Sequence, residues 1–169
     1  MPRFELLTAE DFIDNLKVVF ETKYADALAL IRPSEPLRGL QAINTARQAV
    51  ENSPVLNLLP YGENPQMSQD GASISESLTI LCEWEVRARV ANSLARYIVR
   101  YVSAGRSVIY DMTDAELIGA IPQGQRAGLN WDVSTVRYAE RYYEAENLFT
   151  QVGSFVLTIS YRQGRNNDN

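Results

Sequence analysis

The sequence predicts an α+β fold in which an antiparallel β-sheet packs against a long N-terminal helix and a second, mid-chain helix. Three observations lead to this prediction: a helical apolar repeat opens the chain, a long alternating run occupies its middle, and two more alternating runs close it. Helical and extended segments therefore occur in separate blocks, which is typical of an antiparallel sheet with helices beside it. We expect residues 1–165 to form one domain and residues 166–169 to be a disordered polar tail.

The first helix is predicted to begin at Thr8, whose hydroxyl can cap the backbone and which precedes acidic residues in the first turn. Apolar residues then recur at spacings of three and four from Phe12 to Ile31. This spacing predicts a helix of about five to six turns that ends before Pro33. A weaker helical pattern over residues 37–50 predicts a further helical segment.

Extended structure is predicted next. The apolar run at residues 55–59 lies between prolines and predicts a short strand. Residues 62–75, rich in Gly, Asn, Gln, Ser and Asp, predict a long mobile loop. The clearest strand pattern covers residues 78–90, where apolar side chains alternate with mostly charged ones. This strand should therefore bury one face, which includes Cys82, and present a charged face.

The second half of the chain also has helical spacing first and strand-like alternation after it. Apolar spacings of three and four predict a helix that begins near Asn92 and ends near Gly105. The residues from Thr113 to Glu116 form a capping-box pattern and predict a short helix. The last two alternating runs predict a long C-terminal hairpin, with a bulge where the phase shifts near Ser134.

The composition narrows the chemistry that the chain can perform. It has no histidine and one cysteine, Cys82, which excludes a thiol–imidazole pair, a multi-thiolate metal site and a disulfide framework. The formal net charge of −5 argues against a dedicated nucleic-acid binder. The segment from Gly119 to Gly124 lacks the following Lys-Ser or Lys-Thr of a phosphate-binding loop. We therefore predict no enzymatic activity, no catalytic residues, no cofactor and no bound metal.

Two further features of the sequence concern the compartment of the protein and its contacts with other proteins. The N-terminus has no signal peptide and no apolar run is long enough to span a bilayer, so we expect a soluble protein made in a cytoplasm. Fourteen of the 16 basic residues are arginine, and nine tyrosines accompany them. Arginine and tyrosine are favoured at protein–protein interfaces, but a codon bias would give the same composition. Both explanations stay open at this point.

The charged face of the long strand is a candidate site. Glu83 and Glu85 share that face two residues apart and could hold a divalent cation. Arg87 and Arg89 continue the same face, so ion pairs with neighbouring strands or an interface explain it better. We therefore assign no metal ligand.

The order and length of these segments resemble a known family over nearly the whole chain. A long N-terminal helix precedes the proline-bounded segment 58–62, a loop and the charged strand. A helix from Asn92 and a hairpin that closes on residues 154–162 follow. This pattern resembles the tail terminator proteins of tailed bacteriophages, which are also called tail completion or neck proteins.

The resemblance implies a homo-hexameric ring at the head–tail neck of a virion, assembled in the host cytoplasm without a membrane. Such a ring caps the tail tube, fixes tail length and docks onto the head connector. The implied partners are the tail tube protein and the connector or adaptor, with a sheath protein as a further candidate. DNA only passes through the lumen, and the negative net charge suits this passage because it would not trap DNA.

A ring needs surfaces that repeat head-to-tail around its axis. On that resemblance we expect subunit contacts on the charged strand face and on the hairpin arms. The residues are Glu83, Glu85, Arg87, Arg89, Arg137, Arg141 and Tyr142. Two alternatives remain: another tail component, of the tube or baseplate, and a small ligand-binding α+β domain. The aromatic residues that could line its pocket are Trp84, Trp131, Tyr138 and Phe155.

Overall fold

The computed structural model describes residues 7–47, 53–88, 94–119, 121, 126–143 and 147–164. Within them the chain forms three helices and seven strands, which confirms the predicted α+β class. The helices are α1 (Ala9–Leu30), α2 (Leu94–Tyr110) and α3 (Asp114–Ile118). The strands are β1 (Ala42–Asn44), β2 (Val55–Glu63), β3 (Gln66–Met67), β4 (Ser73–Ala88), β5 (Arg126–Val133), β6 (Arg137–Tyr143) and β7 (Leu148–Gly164).

The strands form one sheet. Its order is β1-β2-β4-β7, with β5 and β6 on the far side of β7 and with β3 beside the start of β4. Neighbouring strands are antiparallel except β1 and β2, which run parallel, so the sheet is mixed. The two long strands β4 and β7 pair over their whole shared length, from Ser73 opposite Gly164 to Ala88 opposite Phe149. They form the centre to which the other elements attach.

Both predicted helix starts are confirmed, but only the Thr113 hydroxyl caps the backbone, accepting from the N–H of Glu116 at 3.3 Å, whereas the Thr8 hydroxyl donates to the Asp11 carboxylate at 3.1 Å. Ahead of α1, the backbone N–H of Thr8 donates a hydrogen bond to the Asp11 carboxylate at 2.7 Å. Ahead of α3, the backbone N–H of Thr113 donates to the Glu116 carboxylate at 2.8 Å. The acidic side chains thus reach back from the first turn to the capping residue, the arrangement that defines a helix start.

Helices α1 and α2 pack against each other and against one face of the sheet, which we call the inner face. The predicted apolar side of β4 is confirmed, because Cys82 and Trp84 are fully buried there. Trp84 lies 6.1 Å from Phe20 of α1 and 5.3 Å from Phe155 of β7, measured between ring centroids. Aromatic side chains of this size dominate the energetics of a core, so Trp84 joins the helices to the sheet. The opposite side of the sheet is the outer face.

The expected end of α2 near Gly105 is wrong, because the helix continues to Tyr110. Gly105 lies against the ring of Trp84, and a Cβ at this position would stand 2.1 Å from Cζ2 of that ring. The glycine therefore permits the close approach of helix and sheet and does not end the helix. The expected start near Asn92 lies outside the described residues.

The helical segment expected over residues 37–50 is wrong where the structure describes it. Residues 37–41 have no regular structure, and the next three residues form β1 parallel to β2. Pairing of β1 with β2 satisfies the backbone N–H and C=O groups that hydrogen bonds within a helix would otherwise satisfy. The apolar residues that suggested a helix still pack against the core: Leu37, Leu40 and Ile43. Residues 48–50 lie outside the described part.

The long mobile loop expected at residues 62–75 is also wrong. β2 extends to Glu63, β4 begins at Ser73, and β3 pairs with β4 between them. At the tip, the Asp70 carboxylate accepts hydrogen bonds from the Ser68 hydroxyl at 2.6 Å and from a backbone amide two residues onward at 3.0 Å. The polar residues therefore build a tight turn, a role for which Asp and Ser are well suited.

β5 and β6 form an edge of the sheet and confirm the predicted hairpin and bulge. β5 pairs with the C-terminal half of β7, and β6 pairs with its N-terminal half. Between them, the backbone N–H of Ser134 donates to the carbonyl of Val156 at 2.9 Å, and the Ser134 hydroxyl accepts from the Val156 N–H at 2.8 Å. The expected polar tail at 166–169 lies outside the described residues.

Candidate functional site

The sheet brings five of the expected interface residues together on its outer face: Glu83, Glu85, Arg87, Arg137 and Arg141. Arg137 of β6 lies two strands across from Glu83 of β4, and Arg141 lies two strands across from Arg87, with β7 between them. Directly opposed residues project from the same face, and two strand spacings amount to about 10 Å. The two patches expected from the sequence are therefore one surface.

Of the other two expected residues, Tyr142 does not belong to that surface. Tyr142 follows Arg141 and projects to the inner side of β6. Its ring lies 4.7 Å from that of Phe149, and its hydroxyl donates to the side-chain oxygen of Asn147 at 3.1 Å. Arg89 lies outside the described residues.

The carboxylates of the outer face are paired within the chain. Glu83 keeps 12% of its side-chain exposure and accepts a hydrogen bond from Nη2 of Arg47 at 3.1 Å. Glu85 keeps 13% and accepts from Nε and Nη2 of Arg87 at 3.2 and 2.9 Å. The Glu85–Arg87 pair runs along one strand and does not cross between strands. No sequence pattern singles out Arg47, which follows β1 and is placed by the pairing of that strand with β2.

The two arginines of β6 differ from these carboxylates in exposure. Arg137 and Arg141 are both exposed, and among the described residues neither forms an ion pair. Arginine offers several donors in a planar group that suits carboxylate partners. Of the expected residues on the outer face, these two are therefore the most available to another molecule.

A shallow groove of about 340 Å³ opens on the outer face next to Arg137. Leu81 and Val156 form its apolar floor, and the ring of Tyr61 stands beside it with 65% of its surface exposed. Such a mixture of an apolar floor and a charged rim is common at protein–protein contacts. Two of the four aromatic residues expected to line a ligand pocket, Trp84 and Phe155, are buried in the core, so their rings do not face the solvent.

Two buried groups have altered acid–base behaviour. Burial raises the pKa of the Cys82 thiol far above its ordinary value, so this cysteine stays protonated and does not act as a nucleophile. Glu76 of β4 lies on the inner face with 5% exposure, and burial, with a smaller contribution from Glu63, raises the pKa of its carboxyl group.

The described residues contain no group of three or more His, Cys, Asp or Glu side chains that could hold a metal ion. No helix among them is both long and apolar enough to cross a membrane.

Comparisons with known proteins find matches among solved structures. No family model matches the chain, and no curated protein matches it either. Among solved structures, a chain from the virion of a native gene transfer agent particle is similar, with 15% sequence identity and a TM-score of 0.39. The alignment covers 84% of this chain and 91% of that one.

Proposed function

We propose that this chain is a structural, non-enzymatic protein of a phage-like virion, and that it acts as a tail terminator. In this role it forms a ring at the head–tail neck, caps the tail tube, fixes tail length and docks onto the head connector. The order of its helices and strands resembles that family, and the α+β fold agrees with the resemblance. A fold alone does not determine function, so the surfaces of the molecule carry the argument.

The observation that carries the proposal is the gathering of charged residues on the outer face of the sheet. Helices α1 and α2 pack on the inner face, whereas the outer face presents Arg137, Arg141 and the groove beside Tyr61. A broad surface of charged and aromatic side chains suits contact with other protein subunits better than it suits a small ligand. We place subunit contacts on this face and on β6, together with Tyr142 and Arg89.

The proposed assembly is a homo-hexamer in the virion neck, formed in the host cytoplasm. Its neighbours are the tail tube protein on one side and the connector or adaptor on the other, and a sheath protein is a further candidate. DNA passes through the lumen without being held. The net charge of −5 supports this because a lumen without strong positive charge does not retain the phosphate backbone.

Electron microscopy of tail tubes tests the function. Tube protein from the same virion is polymerised with and without the purified chain, and tube lengths and tube ends are compared. We expect an extra ring at one end of each tube and shorter tubes when the chain is present. Bare ends and an unchanged length distribution would contradict the proposal.

The alternatives give different results in the same preparations. A tube protein would polymerise by itself into long stacks. A small ligand-binding domain would ignore the tubes and would gain more than about 2 kcal/mol of stability from a saturating ligand. The terminator proposal expects neither result.

A further inference from the structure

One side of the molecule, at β6 and the C-terminal end of α2, is rich in arginine and tyrosine. We call it the arginine–tyrosine surface and define it by Arg106 and Tyr110 of α2 and by Arg137, Tyr138, Arg141 and Tyr142 of β6. The three tyrosines are 62%, 47% and 50% exposed, in chain order. Among the described residues Glu140 of β6 and Asp111, which follows Tyr110, are nearby acids, and Glu140 accepts a hydrogen bond from Nε2 of Gln151 at 2.8 Å. The surface therefore carries an excess of positive charge.

These residues meet at the β6 edge of the sheet, where Arg137 and Arg141 project from the outer face and Tyr138 and Tyr142 from the inner face, on which α2 packs. The guanidinium of Arg106 lies 5.8 Å from the ring centroid of Tyr110. Its charge also opposes the rise in the pKa of Tyr138 that burial causes, so the two side chains are neighbours. At Gly153 of β7, both Tyr138 and Val102 of α2 approach the backbone, which brings the strand and the helix side by side.

A second surface, on α1, has the opposite charge. We call it the acidic helix face and define it by Glu10, Asp14 and Val18, which are exposed and recur every fourth residue. Residues at this spacing share one face of a helix. Among the described residues neither of these two acids forms an ion pair.

The lysines of α1 do not neutralise the acidic helix face, because they are engaged elsewhere. Lys17 lies 3.9 Å from Glu21, and Lys23 lies 2.7 Å from Glu116 of α3. Val18, with 60% exposure, adds an apolar contact beside the free acids. Four of the eight exposed large apolar side chains of the described residues lie on these two surfaces, so both combine charge with apolar area.

The two surfaces lie towards opposite sides of the molecule. α1 packs against α2 and contacts β1, β2 and β4 of the sheet, whereas α2 contacts β4 and β7, and β6 lies beyond β7. Four strand spacings separate β1 from β6, a distance of about 19 Å. Among the described residues no ion pair joins the two surfaces within one chain.

We propose that the arginine–tyrosine surface of one copy binds the acidic helix face of the next copy, so that copies join head-to-tail. This inference rests on the proposed ring and names the two surfaces that hold it together. Complementary surfaces on opposite sides of one chain give a heterologous contact, which closes into a ring when the rotation permits. Charge complementarity fixes the register of such a contact and disfavours self-contact of either surface. The arginines of one copy thus contact the acidic residues of the next copy.

Charge reversal on each surface tests the proposal. The first variant is Arg137→Glu with Arg141→Glu, and the second is Glu10→Arg with Asp14→Arg. Native mass is measured by light scattering, with and without tail tubes, for each variant alone and for an equimolar mixture. A matched control for the first variant, Arg32→Glu with Arg38→Glu, makes the same change in net charge as that variant away from both surfaces. Thermal unfolding confirms that every variant is folded.

We expect each variant alone to need about tenfold or more protein to assemble, because like charges then face each other across the contact. The mixture should recover the assembly of the wild type, since each reversed surface meets its complement on the other variant. The control should assemble like the wild type.

Two outcomes would overturn the proposal, and they differ in what they say of the ring. In the first outcome, the wild type assembles, and either both variants assemble equally well alone or their mixture stays monomeric. A ring then exists, but these two surfaces do not form its contact. If the wild type stays monomeric even with tail tubes, the proposed function fails together with the contact.

Discussion

The close contact between α2 and the sheet predicts an unusual response to one added methyl group. At an exposed helix position, Gly→Ala stabilises a protein by about 1 kcal/mol, because glycine is a poor helix former. In Gly105→Ala the new Cβ would stand 2.1 Å from Cζ2 and 2.4 Å from Cη2 of Trp84. Ordinary contacts begin at 3.4 Å, so the ring or the helix would have to move by at least about 1.3 Å. We therefore expect the opposite sign.

The size of the effect follows from how firmly Trp84 is held. The ring is fully buried, and the rings of Phe20, Tyr24 and Phe155 lie between 5.3 and 6.4 Å from it. Overpacking of a core at such a site costs about 1–3 kcal/mol or more. We expect Gly105→Ala to lower the free energy of unfolding by about 2 kcal/mol, which corresponds to a fall in Tm of about 4–8 °C for a chain of this length.

Urea unfolding and thermal melts followed by circular dichroism measure this change. Ser107→Ala, at an exposed position of the same helix, is the matched control and should stabilise by a few tenths of a kcal/mol. In a Trp84→Leu background, Gly105→Ala should become neutral or stabilising, because the smaller side chain leaves room for the methyl group. A higher Tm for Gly105→Ala in the wild-type background, or no coupling with Trp84→Leu, would refute the packing described here.

Three further predictions concern single side chains. Burial raises the pKa of Glu76, so the native state binds more protons than the unfolded chain between the two pKa values, and stability falls as pH rises through that window. Glu76→Gln should therefore raise Tm at neutral pH, with a gain that disappears near about pH 4; equal Tm values at neutral pH would contradict this. Burial likewise keeps the Cys82 thiol protonated, so a thiol reagent should modify it only after unfolding, and full modification of the native protein would be inconsistent with the structure. Asn15→Ala removes hydrogen bonds to the carbonyls of Leu117 and Ile118, at 2.9 and 2.8 Å, and should cost about 1–3 kcal/mol in urea unfolding, whereas an unchanged midpoint would show that these bonds are dispensable.

The parts of the fold that follow from local pattern could be predicted from the sequence. The alternation along β4 and the apolar spacing of α1 reflect burial on one face, which each segment encodes by itself. Thr8 and Thr113 marked helix starts because capping depends on neighbours three residues away.

The errors arose where distant residues decide the local structure. β1 is a strand because β2 lies beside it, although its surroundings carry a helical spacing. Gly105 lies inside a helix and does not end it. A glycine is needed there because the ring of Trp84, far away in the chain, occupies the space of a side chain. Tertiary contacts override local preference in both cases.

In the candidate site, too, local pattern predicts some features, and contacts between distant residues decide the others. Sequence alone identified Glu83, Glu85, Arg137 and Arg141 as charged positions, but their shared face depends on the register of β4 and β6 against β7. Arg47 reaches Glu83 because of the position of β1 in the sheet. No pattern in the sequence around Arg47 predicts this ion pair. Strand register is set by pairing across the sheet, and a period-two pattern leaves it open.

The native mass of the purified protein, with and without tail tubes, tests the proposed ring most directly. Light scattering on a size-exclusion column separates the 19.0 kDa chain from a ring of six times 19.0 kDa, about 114 kDa. We predict a discrete species near the larger mass, either in solution or after addition of tubes. A chain that stays at the monomer mass in both conditions would contradict the ring, and with it the proposed role at the end of a tail tube.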